Sequence, residues 1–198
     1  MTQSSTPTQP QTGTGAAQLQ FICLTGFMGA GKTSVGKALS ALLARDFVDL
    51  DGFIVSSNGK TIPQIFSSAG EQGFRILEQE ALTHVLTSNA NAVVIALGGG
   101  TFVEQESFAA LNEAGATTVF LCASPEELYR RCVDSLDAPD RPLLKDLPTF
   151  KKLYLARLPF YQRAQWHVET SGRPVPEIAA EIASLLGLLP SGKNRMNP

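Results

Sequence analysis

The residues with the clearest chemical content lie between positions 26 and 33, Gly26-Phe-Met-Gly29-Ala30-Gly31-Lys32-Thr33, and satisfy the spacing G-x-x-x-x-G-K-[ST] at every fixed position. Glycines let successive backbone N–H groups turn inward around phosphate oxygens, and a helix that starts behind them adds the partial positive charge of its N-terminus. In such a cradle the backbone of Gly29, Ala30, Gly31 and Ser34 surrounds the phosphates of a nucleotide. Lys32 reaches the β- and γ-phosphates, and the Thr33 hydroxyl is a ligand for Mg²⁺. The flanks agree with this reading. Apolar Phe21 to Thr25 predicts a strand, and Val35, Ala38, Leu39, Leu42 and Leu43 recur at helical spacing directly after the loop.

A second group of residues bears on what happens to the phosphate. No N-K-x-D motif for guanine is present. The buried run Val93 to Leu97 leads into Gly98-Gly99-Gly100 where an ordinary nucleotide-binding strand would end in an acid. The metal carboxylate must then come from elsewhere, and Asp49 in Phe47-Val-Asp49-Leu-Asp51 is the best candidate, at the carboxyl end of a predicted strand. Strand alternation would put Asp49 and Asp51 on one face with Leu50 opposite. Three consecutive glycines allow a ligand close approach to backbone. Arg75 and Glu78, three apart on a predicted helix, read by themselves as a surface ion pair, and Arg141 and Arg157 as solvated arginines near prolines.

The elements that must position these residues follow from the hydrophobic pattern. Strand-length apolar runs at Phe21 to Thr25, Phe47 to Leu50, Val93 to Leu97, Thr118 to Cys122 and Trp166 to Glu169 alternate with helical segments, one of them marked by Phe74, Leu77, Ala81, Leu82 and Val85. That alternation predicts an α/β fold around a mostly parallel sheet. Two stretches break the rhythm. Residues 51 to 73 carry Ile62, Ile65 and Phe66 at helical spacing between Gly59 and Gly70, and read as an inserted helical subdomain; the Asp- and Pro-rich segment from Asp134 to Pro148 reads as a lid or binding loop. Phe21, Phe47, Phe74 and Phe120 are expected in the core, and Trp166 is expected to be structural.

Composition sets the outer limits. With 198 residues and 43% hydrophobic content the chain suffices for one domain. A net charge of −2 offers no field for nucleic acid or an anionic membrane, so an anion must be held locally. His84 and His167 lie too far apart in sequence for a zinc site or a His-dependent triad to be expected. Cys23, Cys122 and Cys132 lack CxxC spacing and read as reduced thiols of a cytoplasmic protein. Residues 1–18 are polar and without a signal-like pattern, so a disordered tail is expected there, a frayed one at 190–198, and a single domain over 19–189. No apolar run is long enough for a membrane span, and no heptad suggests self-association, so a monomer is expected.

Taken in order, Gly26 to Thr33, Asp49-x-Asp51, Gly70-Glu-Gln-Gly-Phe-Arg75 with Glu78, Gly98-Gly99-Gly100, Arg141-Pro-Leu-Leu144 and Arg157-Leu-Pro-Phe-Tyr161 resemble the shikimate kinase family over about residues 20 to 188. The resemblance implies a three-layer α/β/α P-loop kinase fold with a central parallel five-stranded sheet, an acceptor-binding insertion at about 51–79 and a lid at about 134–148. It implies transfer of the γ-phosphate of ATP, with Mg²⁺, to the 3-hydroxyl of shikimate, giving shikimate 3-phosphate on the way to chorismate and the aromatic amino acids. By matching residue, it assigns Asp49 to the metal, Asp51 to the acceptor hydroxyls, Arg75 and Arg157 to the acceptor carboxylate, Gly99 to the same pocket and Arg141 to the phosphates. An arginine ahead of the lid lies near the adenine; Arg130 and Arg131 both satisfy that position, with Arg131 preferred. The rivals are a P-loop kinase for another small hydroxylated acceptor, such as an aminoshikimate or gluconate, and a catalytically silent nucleotide-binding module.

Overall fold

Five strands, β1 (Phe21–Thr25), β2 (Asp46–Asp49), β3 (Val93–Ala96), β4 (Thr117–Cys122) and β5 (Trp166–Glu169), form one sheet in the order β2-β3-β1-β4-β5 with every pairing parallel. This is a computed structural model of the chain, and it describes residues 19–134 and 146–189. Helices α1 (Lys32–Leu43), α2 (Leu50–Asn58), α3 (Ile62–Ser88), α4 (Gln105–Glu113), α5 (Pro125–Val133) and α6 (Leu147–Tyr161) connect the strands, and α7 (Val175–Leu185) follows β5. The central strands β1 and β3 are buried at every residue, as unbroken apolar runs in a parallel sheet require, while the edge strands β2 and β5 are largely half-buried or exposed. Phe21, Phe74 and Phe120 are in the core; Phe47 and Trp166, on the edge strands, keep more solvent contact. Among the described residues no helix is long and apolar enough to cross a membrane.

Strand register decides what meets at the carboxyl edge. Leu24 of β1 and Asp49 of β2 both pair with Ala96 of β3, so these strands end at one level. The loops that leave them, at Gly26, Asp49 and Gly98, therefore open onto one rim. The rim is where open parallel sheets bind ligands.

One local expectation is corrected. β2 ends at Asp49, and Leu50 and Asp51 belong to the first turn of α2, so the two aspartates do not share a strand face by alternation. The cause is capping: Asp49 Oδ1 accepts the Gly52 N–H at 3.1 Å, which ends the strand and starts the helix. Leu50 is then fully buried beneath the turn. Helix α3 starts with a capping box between Thr61 and Gln64 and bends at Gly70, whose φ of 69° is left-handed and suits glycine. Its second part carries the stripe Phe74, Glu78, Ala81, Leu82, Val85 into the interior, with a carboxylate inside an otherwise apolar face.

Helix α6 is held by aromatics on a single stripe. Phe150 and Tyr154 meet Phe27 edge to face, and Tyr161 stacks on Phe120. Arg157 falls in the same i, i+4, i+7, i+11 series, so the packing that fixes the helix also aims Arg157 inward.

Candidate active site

The phosphate loop is shaped by glycines that nothing else could replace. Gly26, Gly29 and Gly31 have φ of 141°, 80° and 88°. A Cβ on Gly29 would stand 2.5 Å from the Leu128 carbonyl and 2.9 Å from Cys132 Sγ, so both conformation and space require glycine there. Gly31 is the N-cap of α1, which has no side-chain cap and no acid in its first turn. Its amides are left for an anion. Lys32 Nζ donates to the carbonyls of Gly26 at 2.8 Å and Phe27 at 3.1 Å, which holds the ammonium over the loop. Thr33 Oγ1 donates to Asp49 Oδ2 at 2.6 Å, so the loop and the end of β2 meet through two hard oxygen donors.

Across the rim lies a knot of charge. Arg75 Nη1 donates to Glu78 Oε2 at 2.6 Å, and Thr101 Oγ1 donates to Glu78 Oε1 at 2.6 Å. Glu78 is only 1% exposed, and the cost of burying it is offset because both its oxygens are bonded. Burial works against the Arg75 charge, but Glu78, Glu104 and Glu71 outweigh it and raise the guanidinium above its ordinary range. Gly98 makes the knot possible. A Cβ there would stand 2.5 Å from Glu78 Oε1, 2.8 Å from Thr101 Oγ1 and 2.9 Å from Asp51 Oδ1.

Asp51 sits on the floor between the two halves. The residue is exposed to solvent, yet dense protein around the carboxyl makes desolvation the largest influence on it. Lys32 and Arg75 pull its pKa down while Glu78 and Asp49 push it up, and the balance raises it from 3.8 to about 6. At neutral pH it is an ionised carboxylate with more than ordinary basicity.

The Gly99 carbonyl is gripped from α6. Arg157 Nη1 donates to it at 3.3 Å, and the Tyr161 hydroxyl donates to the same oxygen. Burial pushes the Tyr161 phenol up to about 12, so it keeps the proton it donates. Arg131 ties the far side: Nε donates to Glu127 Oε1 at 2.9 Å, Nη2 to the Thr170 carbonyl at 2.7 Å and Nη1 to the Gly29 carbonyl at 3.4 Å. Arg130 lines the same cleft but is more exposed, paired with Glu127 and Asp134.

Gly29, Ala30, Gly31, Lys32, Thr33, Ser34, Asp49, Asp51, Arg75, Gly99, Arg131 and Arg157 thus line one cleft of about 1430 Å³. A single drug-sized ligand needs ~300–1,000 Å³, so this cleft has room for two substrates. Arg141 and most of the segment expected as a lid lie outside the described residues. Thr101 and Tyr161 are contributors that pattern reading missed. Tyr161 had a signal, since it stands one helical turn from Arg157. Thr101 had none, because its partner is 23 residues away. Thr101→Val is expected to lower stability by about 1–3 kcal/mol by leaving one Glu78 oxygen buried and unpaired, with Thr101→Ser restoring it. Urea denaturation of the two variants measures this, and equal stability of the valine variant and the parent would refute it.

The comparisons with known proteins agree with this geometry. The family described as shikimate kinase matches residues 28–186. A shikimate kinase of Thermus thermophilus is 41% identical over 169 residues, covering 84% of this chain and 89% of that protein. That of Deinococcus radiodurans is 40% identical, covering 84% and 83%. Among solved structures, a shikimate kinase from Acinetobacter baumannii in complex with shikimate superposes with a TM-score of 0.78 at 34% identity, covering 85% of this chain and 93% of that one. A loop of this geometry is common to many nucleotide-binding proteins, but a match that extends over both rims of the cleft places the chain in the shikimate kinase family.

Proposed function

We propose that this protein transfers the γ-phosphate of ATP to the 3-hydroxyl of shikimate, giving shikimate 3-phosphate and ADP on the route to chorismate and the aromatic amino acids. The observation that carries the reading is the opposition, in one cleft, of a phosphate cradle ending in Lys32 and an arginine pair, Arg75 and Arg157, on either side of the triple glycine. Asp51 lies between them.

In this reading the amides of Gly29 to Ser34 and the Lys32 ammonium hold the β- and γ-phosphates. Thr33 and Asp49 would hold Mg²⁺, whose preference for hard oxygens and retained waters fits a hydroxyl beside a carboxylate. When bound, the ion neutralises charge developing on the phosphates. Arg75 and Arg157 fix the acceptor by its carboxylate through charge-assisted hydrogen bonds. Asp51 accepts a hydrogen bond from the attacking hydroxyl, orients it toward the γ-phosphate and takes its proton late in a loose transition state. Arg131 borders the adenine, and Arg141, which lies outside the described residues, is assigned to the phosphates by its match to the family motif. Most of the rate comes from positioning and charge neutralisation. The thiols of Cys23 and Cys122, which form no disulfide, support a reducing, cytoplasmic setting. The exposed apolar side chains are spread over α1, α3, α5, α6, α7 and β5, which supports a monomer.

ADP release measured with shikimate, an aminoshikimate, gluconate and nucleoside monophosphates tests the assignment. Shikimate is expected to give the highest kcat/KM; a higher value for any other acceptor would overturn it, and tight ATP binding without turnover would identify a silent module. Arg75→Ala is expected to raise KM for shikimate by about 30-fold or more, since a desolvated charge pair is lost, and to leave KM for ATP in place.

A further inference from the structure

We infer that Glu104 is a specificity-determining residue that competes with the acceptor carboxylate for Arg75, so that only a ligand carrying its own full negative charge displaces it. The inference rests on the reading of Arg75 as the acceptor's anchor.

The guanidinium of Arg75 has two unequal sides. Nη1 is committed to Glu78, which is buried and held from behind by Thr101. The Nε and Nη2 edge is the one that can receive a carboxylate in a bidentate fork. On that edge Glu104 Oε1 stands 3.5 Å from Nε, and Glu71 Oε1 stands 3.5 Å from Nη2. Nε is covered by protein, yet it has no hydrogen-bond partner among the described residues. Glu104 therefore attracts Nε without satisfying it. Such a contact is weaker than the bond a well-placed carboxylate would make.

Glu104 is also free to leave. Its side chain is 42% exposed, against 2% for Glu78. It occupies the N-cap position of α4, and that helix start has no side-chain cap. When the acceptor takes the fork, the displaced carboxylate can turn to the uncapped amides and positive end of α4, which favour an anion. An uncharged or weakly anionic compound gains less at Arg75 than the Glu104 contact it must break. Glu71 stands on the same edge and accepts a hydrogen bond from Nη2 at 3.5 Å, but at 71% exposure its charge is more fully screened by water.

Competition and orientation predict opposite signs for Glu104→Gln. If the residue competes, KM for shikimate falls about three- to fivefold, the range of a partly exposed ion pair, while KM for ATP does not move. The relative kcat/KM for an analogue with a carboxamide in place of the carboxylate rises as well. If Glu104 instead held Arg75 in position, KM for shikimate would rise, and that result, or an unchanged KM, overturns the inference. Arg75→Ala serves as the reference. Should it leave KM for shikimate unmoved, the anchor reading itself fails; should it raise KM while Glu104→Gln does not lower it, only the competition fails.

Discussion

Lys32→Ala is expected to lower kcat by about 10³-fold while the protein stays folded and still binds shikimate, a loss on the scale of removing one preorganised charge from a transition state. The ammonium is fixed by the Gly26 and Phe27 carbonyls over the loop where the transferred phosphoryl group would lie. Arginine at this position is expected to restore little, because a planar fork cannot replace a point charge between two loop carbonyls. A second effect follows from the same charge. Lys32 is the largest influence holding the Asp51 pKa down, so its loss moves the acid limb of the pH profile toward higher pH. Steady-state kinetics from pH 5 to 8 would detect both. A Lys32→Ala enzyme with more than a tenth of the parental kcat would remove Lys32 from the mechanism.

Asp51→Asn is expected to remove at least about 10²-fold of kcat, the ordinary weight of general-base assistance, and to flatten the acid side of the pH profile. In the parent, kcat/KM for shikimate is expected to fall about tenfold per unit as pH drops below about 6, because the raised carboxyl takes up a proton and can no longer accept one from the substrate. The stability effect has the opposite sign. The folded-state pKa of about 6 exceeds the unaltered 3.8, so between those values the folded chain binds more protons than the unfolded chain. Stability therefore falls as pH rises from about 4 to 6, and the penalty is complete above that window. Asparagine removes the penalty. The variant should melt at a higher temperature than the parent at pH 7 and at the same temperature below pH 4; a lower melting temperature at pH 7 would show that Asp51 is net stabilising.

Glu78 and Asp51 are neighbouring carboxylates in unlike environments. Glu78 has both oxygens bonded, one to a guanidinium and one to a hydroxyl, and serves to hold Arg75. Asp51 faces the cleft, and the charges of Lys32, Glu78, Asp49 and Arg75 act on it from every side. Divergent environments for neighbouring titratable groups are how a site separates structural from chemical roles.

Much of this could be read along the chain. The G-x-x-x-x-G-K-T spacing prescribes a local backbone geometry, and unbroken apolar runs prescribe strands buried on both faces; both are short-range consequences of residue type, so β1, the loop and α1 were legible without tertiary information. So was the membership of Gly29 to Ser34, Asp49, Asp51, Arg75, Gly99 and Arg157 in one cleft, given the order of the motifs. The strand reading of Asp49 and Asp51 erred because alternation says nothing about a carboxylate that caps the next helix. What only the tertiary structure decided are the contacts between distant segments: the register that levels Leu24, Asp49 and Ala96, the Thr101 bond to Glu78, the grip of Tyr161 on Gly99 and the place of Glu104 beside Arg75. These depend on where packing brings two elements together, and no periodicity within either element encodes that meeting.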